Sequence, residues 1–256
     1  MNRSRRNFLK LAGLSLLGLG AKPAWDALAG NEAPKFLKGP EALKGKRWGM
    51  VVETSKCREE CRDCLDACHR VHNVPDFKNA KDEIKWIWKE PLKAVFPEQE
   101  HHYLDEPLKE RPIMVLCNHC DNPPCVRVCP TQATFKRPED GIVMMDYHRC
   151  IGCRFCVAGC PYGARSMNFR DPRPFIKEVN PEFPTRTKGV VEKCNFCVER
   201  LAQGLLPACV EACQEKALLF GDLENPQSKI REIVQGRVTL RRKPELGTHP
   251  QVYYIL

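Results

Sequence analysis

Sixteen cysteines dominate the chemistry open to this 256-residue chain, and none stands alone. They fall into four groups of four: Cys57, Cys61, Cys64 and Cys68; Cys117, Cys120, Cys125 and Cys129; Cys150, Cys153, Cys156 and Cys160; and Cys194, Cys197, Cys209 and Cys213. Thiols grouped this way can pair as disulfides, hold zinc, or hold iron–sulfur clusters. Disulfide frameworks suit short secreted chains rather than this length and spacing. Zinc uses paired C-x2-C knuckles separated by a spacer, a pattern that the fourth group alone approaches. Attached haem requires C-x2-C-H, and the nearest string, Cys64 to His69, is one residue too long.

The spacing favours iron–sulfur clusters. The third group, CIGCRFCVAGCP, is C-x2-C-x2-C-x3-C-P, the bacterial ferredoxin run, in which three close thiolates hold one cubane and the fourth reaches the neighbouring one. Two-residue gaps let one tight loop touch three iron corners, and Gly152 eases that turn. The second group, CNHCDNPPCVRVCP, has the same design with a two-residue expansion containing Pro123 and Pro124. Ferredoxin geometry therefore assigns Cys117, Cys120, Cys125 and Cys160 to one cluster and Cys150, Cys153, Cys156 and Cys129 to another. The first group opens C-x3-C, with Arg58-Glu59-Glu60 lengthening its loop, and the fourth is C-x2-C-x11-C-x3-C with Gln214 after its last cysteine.

Short elements must position these loops. Asp140-Gly141 reads as a turn and Ile142 to Met145 as a short buried strand. Pro161, after the last cysteine of its group, reads as the start of a helix. Trp86, Ile87 and Trp88 alternate like a half-buried strand, so packing is their expected role. The long insertion of the fourth group, with Gly204 and Pro207, reads as a loop or short helix. His69, His72, His119 and His148 lie near the groups, but each site already has four thiols. Hydrogen bonding or surface exposure is their expected part. No catalytic triad, phosphate-binding loop or carboxylate pair stands out, which points away from a stand-alone enzyme.

The N-terminus reads as an address. Ser4-Arg5-Arg6-Asn7-Phe8-Leu9-Lys10 matches the twin-arginine export pattern, followed by an apolar run, Leu11 to Ala21, of eleven residues. That run is short for a bilayer, and Ala27-Leu28-Ala29 supplies a small-x-small cleavage site. Cleavage, giving a signal peptide of residues 1–29, and retention as an anchor both fit the string. Twin-arginine export carries folded proteins, which suits a cofactor inserted in the cytoplasm. The expected location is therefore the periplasmic, extracytoplasmic face of the membrane, with attachment through partner subunits. The formal charge of +9 falls to +5 without residues 1–29. Four oxidised four-iron sites, each about doubly negative with its thiolates, would offset the rest. With no aromatic-interleaved basic stripe, nucleic-acid binding is not expected.

CNHCDNPPCVRVCP, DGIVMMDYHRCIGCRFCVAGCPYGAR, KCNFCVERLAQGLLPACVEAC and PELGTHPQVYYIL resemble the four-cluster ferredoxin subunits of complex iron–sulfur molybdoenzymes and NrfC-like proteins, across nearly all of residues 47–256. RWGMVVETSKC, CHRVHNVPDFKN and KDEIKWIWKEP are most similar to the DsrO family, exported subunits of the DsrMKJOP membrane redox complex of dissimilatory sulfur metabolism. The resemblance implies an α+β fold of tandem bacterial-ferredoxin-like units, two interleaved 2×[4Fe-4S] subdomains with loop-rich insertions. The inner unit spans 114–168, and the outer unit spans 47–113 with 169–256.

The resemblance further implies four [4Fe-4S] clusters in a wire. By the same ferredoxin logic, Cys57, Cys61 and Cys64 pair with Cys213, and Cys194, Cys197 and Cys209 with Cys68. The implied partners are an NrfD-like integral membrane subunit of the DsrP type, a multihaem cytochrome c of the DsrJ type, and membrane cytochrome b and cytoplasmic iron–sulfur subunits of the DsrM and DsrK types. Two alternatives keep electron transfer but change the complex: the ferredoxin subunit of an exported molybdopterin oxidoreductase or of a periplasmic hydrogenase. A zinc- or disulfide-stapled exported binding protein is the alternative of another class. Cluster potentials span about −700 to +450 mV in such proteins, so spacing alone does not set the direction of electron flow.

Overall fold

Nine strands and eight α-helices, none longer than nine residues, carry the described residues, 41–256, of the computed structural model. The export string at residues 1–29 lies outside them. Each cysteine group follows one strand and is followed by another. Strand β1 (Trp48–Glu53) leads into the first group and β2 (Ile87–Pro91) follows it; β3 (Pro112–Leu116) and β4 (Thr134–Lys136) flank the second. Strands β5 (Val143–Met145) and β6 (Ser166–Met167) flank the third, and β7 (Val191–Glu192) and β8 (Leu218–Asp222) the fourth.

The pairing closes these eight strands into a ring. The strand after each group pairs antiparallel with the strand before the next: β2 with β3, β4 with β5, β6 with β7 and, completing the circle, β8 with β1. Two-, three- and five-residue ladders are marginal alone. They persist because each sits over a cysteine loop and a shared core that runs from Met50 and Leu65 through Trp86 and Val115 to Phe196 and Tyr254. A ninth strand, β9 (Val252–Ile255), adds parallel to β1, with Met50 opposite both Phe220 and Val252.

Strand β1 is WGMVVE, a continuous apolar run rather than an alternating one, and it is buried on both faces as such runs are. Met50 and Val52 face the main core. Val51 faces the other way, with Leu223 and Ile230, against the closing helix Lys229–Gly236. Ser228 caps that helix by accepting the Arg231 N–H. Full burial of Ile230 is worth about 1.5–3 kcal/mol.

Two sequence expectations change. Trp86, Ile87 and Trp88 are not half-buried: all three are buried. Trp86 stacks on the His72 ring at 4.3 Å and meets Phe183 edge-on, which covers the face expected to be wet. Pro161 does not start a helix. It lies inside a turn in which Gly163 donates its N–H to the Cys160 carbonyl, and Gly163 adopts φ +64°, which ends helical geometry. The other local expectations hold: Gly141 takes φ +76° in a turn before β5, and the insertion of the fourth group is a loop between the short helices Val198–Leu201 and Ala208–Glu211.

Candidate metal centres

The loops that present the thiols reuse two backbone devices. In each C-x2-C pair the residue just before the second cysteine is left-handed: His119 at φ 42°, Gly152 at φ 68° and Phe196 at φ 57°. This reversal turns successive amides toward one side, where a cysteine sulfur waits, and the Phe196 N–H reaches Cys194 Sγ at 3.4 Å. The second device follows the fourth cysteine of a group. Residues three positions on, Gln132, Gly163 and Lys216, are again left-handed and donate N–H to the carbonyls of Cys129, Cys160 and Cys213. The turn then aims an amide at sulfur: Thr134 N–H to Cys129 at 3.5 Å and Ala217 N–H to Cys213 at 3.2 Å. Gln214 occupies the position where the other two turns have proline, and the turn survives the exchange. The first group differs: Arg58-Glu59-Glu60 contains no left-handed residue, because the extra residue lets the loop turn without strain.

Close approach also constrains the third loop. A methyl group on Gly152 would lie 2.4 Å from the carbonyl oxygen of Gly189. The glycine is required there by packing as well as by its positive φ.

The thiols converge on four places. Cys57, Cys61, Cys64 and Cys213 line one cavity; Cys117, Cys120, Cys125 and Cys160 line another; and Cys129, Cys150, Cys153 and Cys156 line a third. The remaining four meet in the interior. Burial pushes the Cys68 thiol far up, and the charges of Cys197, Cys194 and Cys209 around it add to the rise. Helix Asp63–Val71, which carries Cys64 and Cys68, packs on the short helix bearing Cys209. Its acidic residues Asp63 and Asp66 stand in the first turn and His69 and Arg70 in the last, which matches the helix dipole. We number the sets one (Cys57, Cys61, Cys64, Cys213), two (Cys68, Cys194, Cys197, Cys209), three (Cys117, Cys120, Cys125, Cys160) and four (Cys129, Cys150, Cys153, Cys156).

Electrostatic neighbourhoods give their order. Burial raises Cys209, aided by Cys194 of its own set and then Cys64 of set one. Burial raises Cys194 to about 12, and Cys117 of set three is the next cause. Burial raises Cys156, with Cys125 of set three adding to it. The sets therefore run one, two, three, four. Set two is wholly buried, whereas Cys57, Cys61 and Cys213 at one end and Cys129, Cys150 and Cys153 at the other are partly exposed.

The donor sets fit [4Fe-4S] clusters. Each offers four thiols and backbone N–H groups aimed at sulfur, the surroundings such clusters take. Asn118 lines the third cavity at 1 % exposure with neither amide atom hydrogen-bonded. A buried amide left without partners costs free energy unless something in the cavity accepts it.

Sequence reading missed several residues around the thiols. Arg165, 4 % exposed, donates from Nη2 to Cys125 Sγ at 3.1 Å. Lys193, buried beside Cys194, donates to the carbonyls of Val143 and Cys194. Adjacency to a cysteine flagged Lys193 and Asn118, but nothing in the sequence marked Arg165. Among the histidines, His72 meets the Cys68 carbonyl through Nδ1 at 2.9 Å and the Glu199 carboxylate through Nε2 at 2.8 Å. His119 accepts the Val143 N–H at 3.1 Å and stacks on Phe196 at 3.7 Å. Burial holds its pKa well below the usual value, with the charges of Lys193 and Arg165 adding to this. His69 reaches the Ile87 carbonyl at 3.4 Å, and His148 is exposed. Among the described residues no helix is long and apolar enough to cross a membrane.

Comparison with known proteins places this geometry. The 4Fe-4S dicluster domain family matches residues 113–172 and 179–223. The chain is 41 % identical, over 98 % of its length and 97 % of the relative's, to Hdr-like menaquinol oxidoreductase iron-sulfur subunit 1 of Archaeoglobus fulgidus. It is 37 % identical to the iron-sulfur cluster-binding subunit of menaquinone reductase of Nitratidesulfovibrio vulgaris, over 82 % of this chain and 88 % of the relative. It is also 37 % identical to NrfC of Escherichia coli, over 100 % of this chain and 96 % of the relative. The chain belongs to the NrfC-like family of 4Fe-4S proteins. Within that family it is an iron–sulfur electron-transfer subunit of an oxidoreductase complex.

Proposed function

We propose that the chain carries four [4Fe-4S] clusters, one at each thiol set, and passes single electrons along them between a quinone-interacting NrfD-like membrane subunit and an extracytoplasmic redox partner of the multihaem cytochrome c kind. One observation carries the reading. Four sets of four thiols, each drawn from two sequence groups, stand in one file whose two ends reach the surface. The names of two relatives refer to menaquinol or menaquinone, which supports quinone chemistry on the membrane side. In this reading residues 114–168 form the inner ferredoxin unit, and 47–113 with 169–256 the outer one.

The finer proposal is a DsrO-type subunit with DsrP-, DsrJ-, DsrM- and DsrK-type partners in sulfate or sulfur metabolism, exported by the twin-arginine route. Its support is the string RWGMVVETSKC through KDEIKWIWKEP and the Arg5-Arg6 pair. A molybdoenzyme complex is the second reading, favoured by 37 % identity across the whole chain to a tetrathionate reductase subunit of Salmonella typhimurium. Copurification from native membranes decides between them. A molybdopterin subunit among the partners overturns the Dsr assignment, and a zinc-loaded protein without iron overturns the whole reading. Replacing Arg5 and Arg6 by lysine should strand the precursor in the cytoplasm, because the pair is a receptor-read signal. Normal export of that variant refutes the route.

A further inference from the structure

Three side chains that ligate nothing crowd the third cavity, and all three bring positive charge or N–H donors. Arg165 spans two sets. Its Nη2 donates to Cys125 Sγ at 3.1 Å, its Nη1 to Thr134 Oγ1 at 2.9 Å, and its charge also acts on Cys156 of set four. Lys193, 1 % exposed, holds its ammonium between two carbonyls, where Cys117 and then Cys194 and Cys125 are the thiols that act on it most. Asn118 turns an unpartnered amide into the same cavity. No carboxylate lines that cavity among the described residues.

Set two is built the other way. The Glu199 carboxylate, the His72 ring and Cys197 Sγ lie within 4.8 Å of one another. Glu199 therefore faces a thiolate of set two directly, with His72 as its counter-group.

Resting on the four-cluster reading, we infer that Arg165, with Lys193 and Asn118, makes set three the electron-holding site of the file, its potential above that of set two, and that Arg165 raises set four as well. A cluster gains one negative charge on reduction. A fixed buried cation and N–H groups that point at sulfur stabilise that added charge, and a carboxylate opposes it. Burial matters because the same guanidinium on the surface would be screened by water and salt. An electron arriving at set two thus moves downhill to set three and dwells there. Arg165 is a positioning residue for charge, not a ligand.

Redox titration followed by EPR, with iron counted in the same samples of the full complex, tests this. Arg165→Gln should lower two of the four midpoints, one of them by at least tenfold in its one-electron equilibrium, about 59 mV. Arg165→Lys, which keeps the charge, should recover most of that shift. Asn118→Leu, similar in shape and free of donors, should lower one of the same two midpoints and leave the others in place. Full iron with no midpoint moved in Arg165→Gln overturns the inference, and so does an equal drop of all four. If Arg165→Gln sheds iron, Asn118→Leu decides, and an unmoved set of midpoints there overturns it. Wild-type protein without cluster signals would instead sink the four-cluster reading on which this stands.

Discussion

Arg186 and Glu192 meet with Nη2 2.5 Å from Oε2, and neither side chain is exposed. The same carboxylate accepts Trp86 Nε1–H at 2.8 Å and an Asn168 amide N–H at 2.6 Å. The guanidinium also donates to the carbonyls of His72 and Asn73. One buried pair thus ties the strand before the fourth cysteine group to the end of the helix that carries Cys68. Glu192→Leu should cost about 3–5 kcal/mol, because it strands a charge and two N–H donors. Arg186→Met with Glu192→Leu should cost less than the two single changes together, read from unfolding of the cluster-loaded protein. A strictly additive double mutant would show that the pair is not coupled.

Interleaving of the thiols can be read by counting iron. Cys160→Ala and Cys117→Ala should each remove about four irons, and the double mutant no more than either, since both thiols line one cavity. Cys160→Ala with Cys150→Ala should remove about eight. The reverse pattern, with Cys150 and Cys160 behaving as one site, would refute the interleaved assignment.

Gly152→Ala should cost the protein its fourth cluster while leaving the first. The added methyl would sit 2.4 Å from the Gly189 carbonyl at a residue with φ +68°, so either the loop of Cys150 and Cys153 or the segment at Gly189 must shift. A loss of about four irons is expected. Gly163→Ala serves as the control: its φ is +64° but nothing lies within 4 Å of the added carbon. It should keep its iron and lose about 1 kcal/mol. Equal behaviour of the two variants would discount the close approach.

Acid sensitivity has one local source at the sheet edge. Hydrogen bonds from Lys56 and then Arg237 hold the Glu53 carboxyl below its usual 4.5. The folded pKa is the lower one, so the contribution is present above pH 4.5 and disappears as pH falls through the folded value. Solvent screening keeps it under about 1 kcal/mol. The stability gap between wild type and Glu53→Gln should be widest near neutrality and narrow on acidification. A gap that does not change with pH would assign Glu53 a purely packing role.

What could be read from sequence was the chemistry of short loops. C-x2-C spacing is a local geometric requirement, so the four groups and their thiols stood out. The turn at Gly141 and the strand after it were equally local. The ring of strands was not legible: it pairs β8 with β1 across most of the chain, and both strands are short apolar runs of a kind that fits any core. Arg165 was missed because a lone arginine near a cysteine loop has no periodic or spacing signal. Its meaning comes from Thr134 and Cys125, brought to it by folding. Trp86 was underestimated because its covering groups, His72 and Phe183, come from before and after it in the chain.

The ring of strands also sets a timetable for synthesis. Strand β1 is among the first elements made, yet its parallel neighbour β9 follows some two hundred residues later, and Cys57, Cys61 and Cys64 share a cavity with Cys213. At about 5–20 residues per second the ribosome needs roughly 10–40 s to cover such a stretch. Throughout that interval the earliest thiols are reactive and unsheltered, open to oxidants and to stray metal. The nascent chain therefore calls for a holding chaperone or a reducing surround until its last strand is made, and its cofactors can be delivered only to a finished polypeptide.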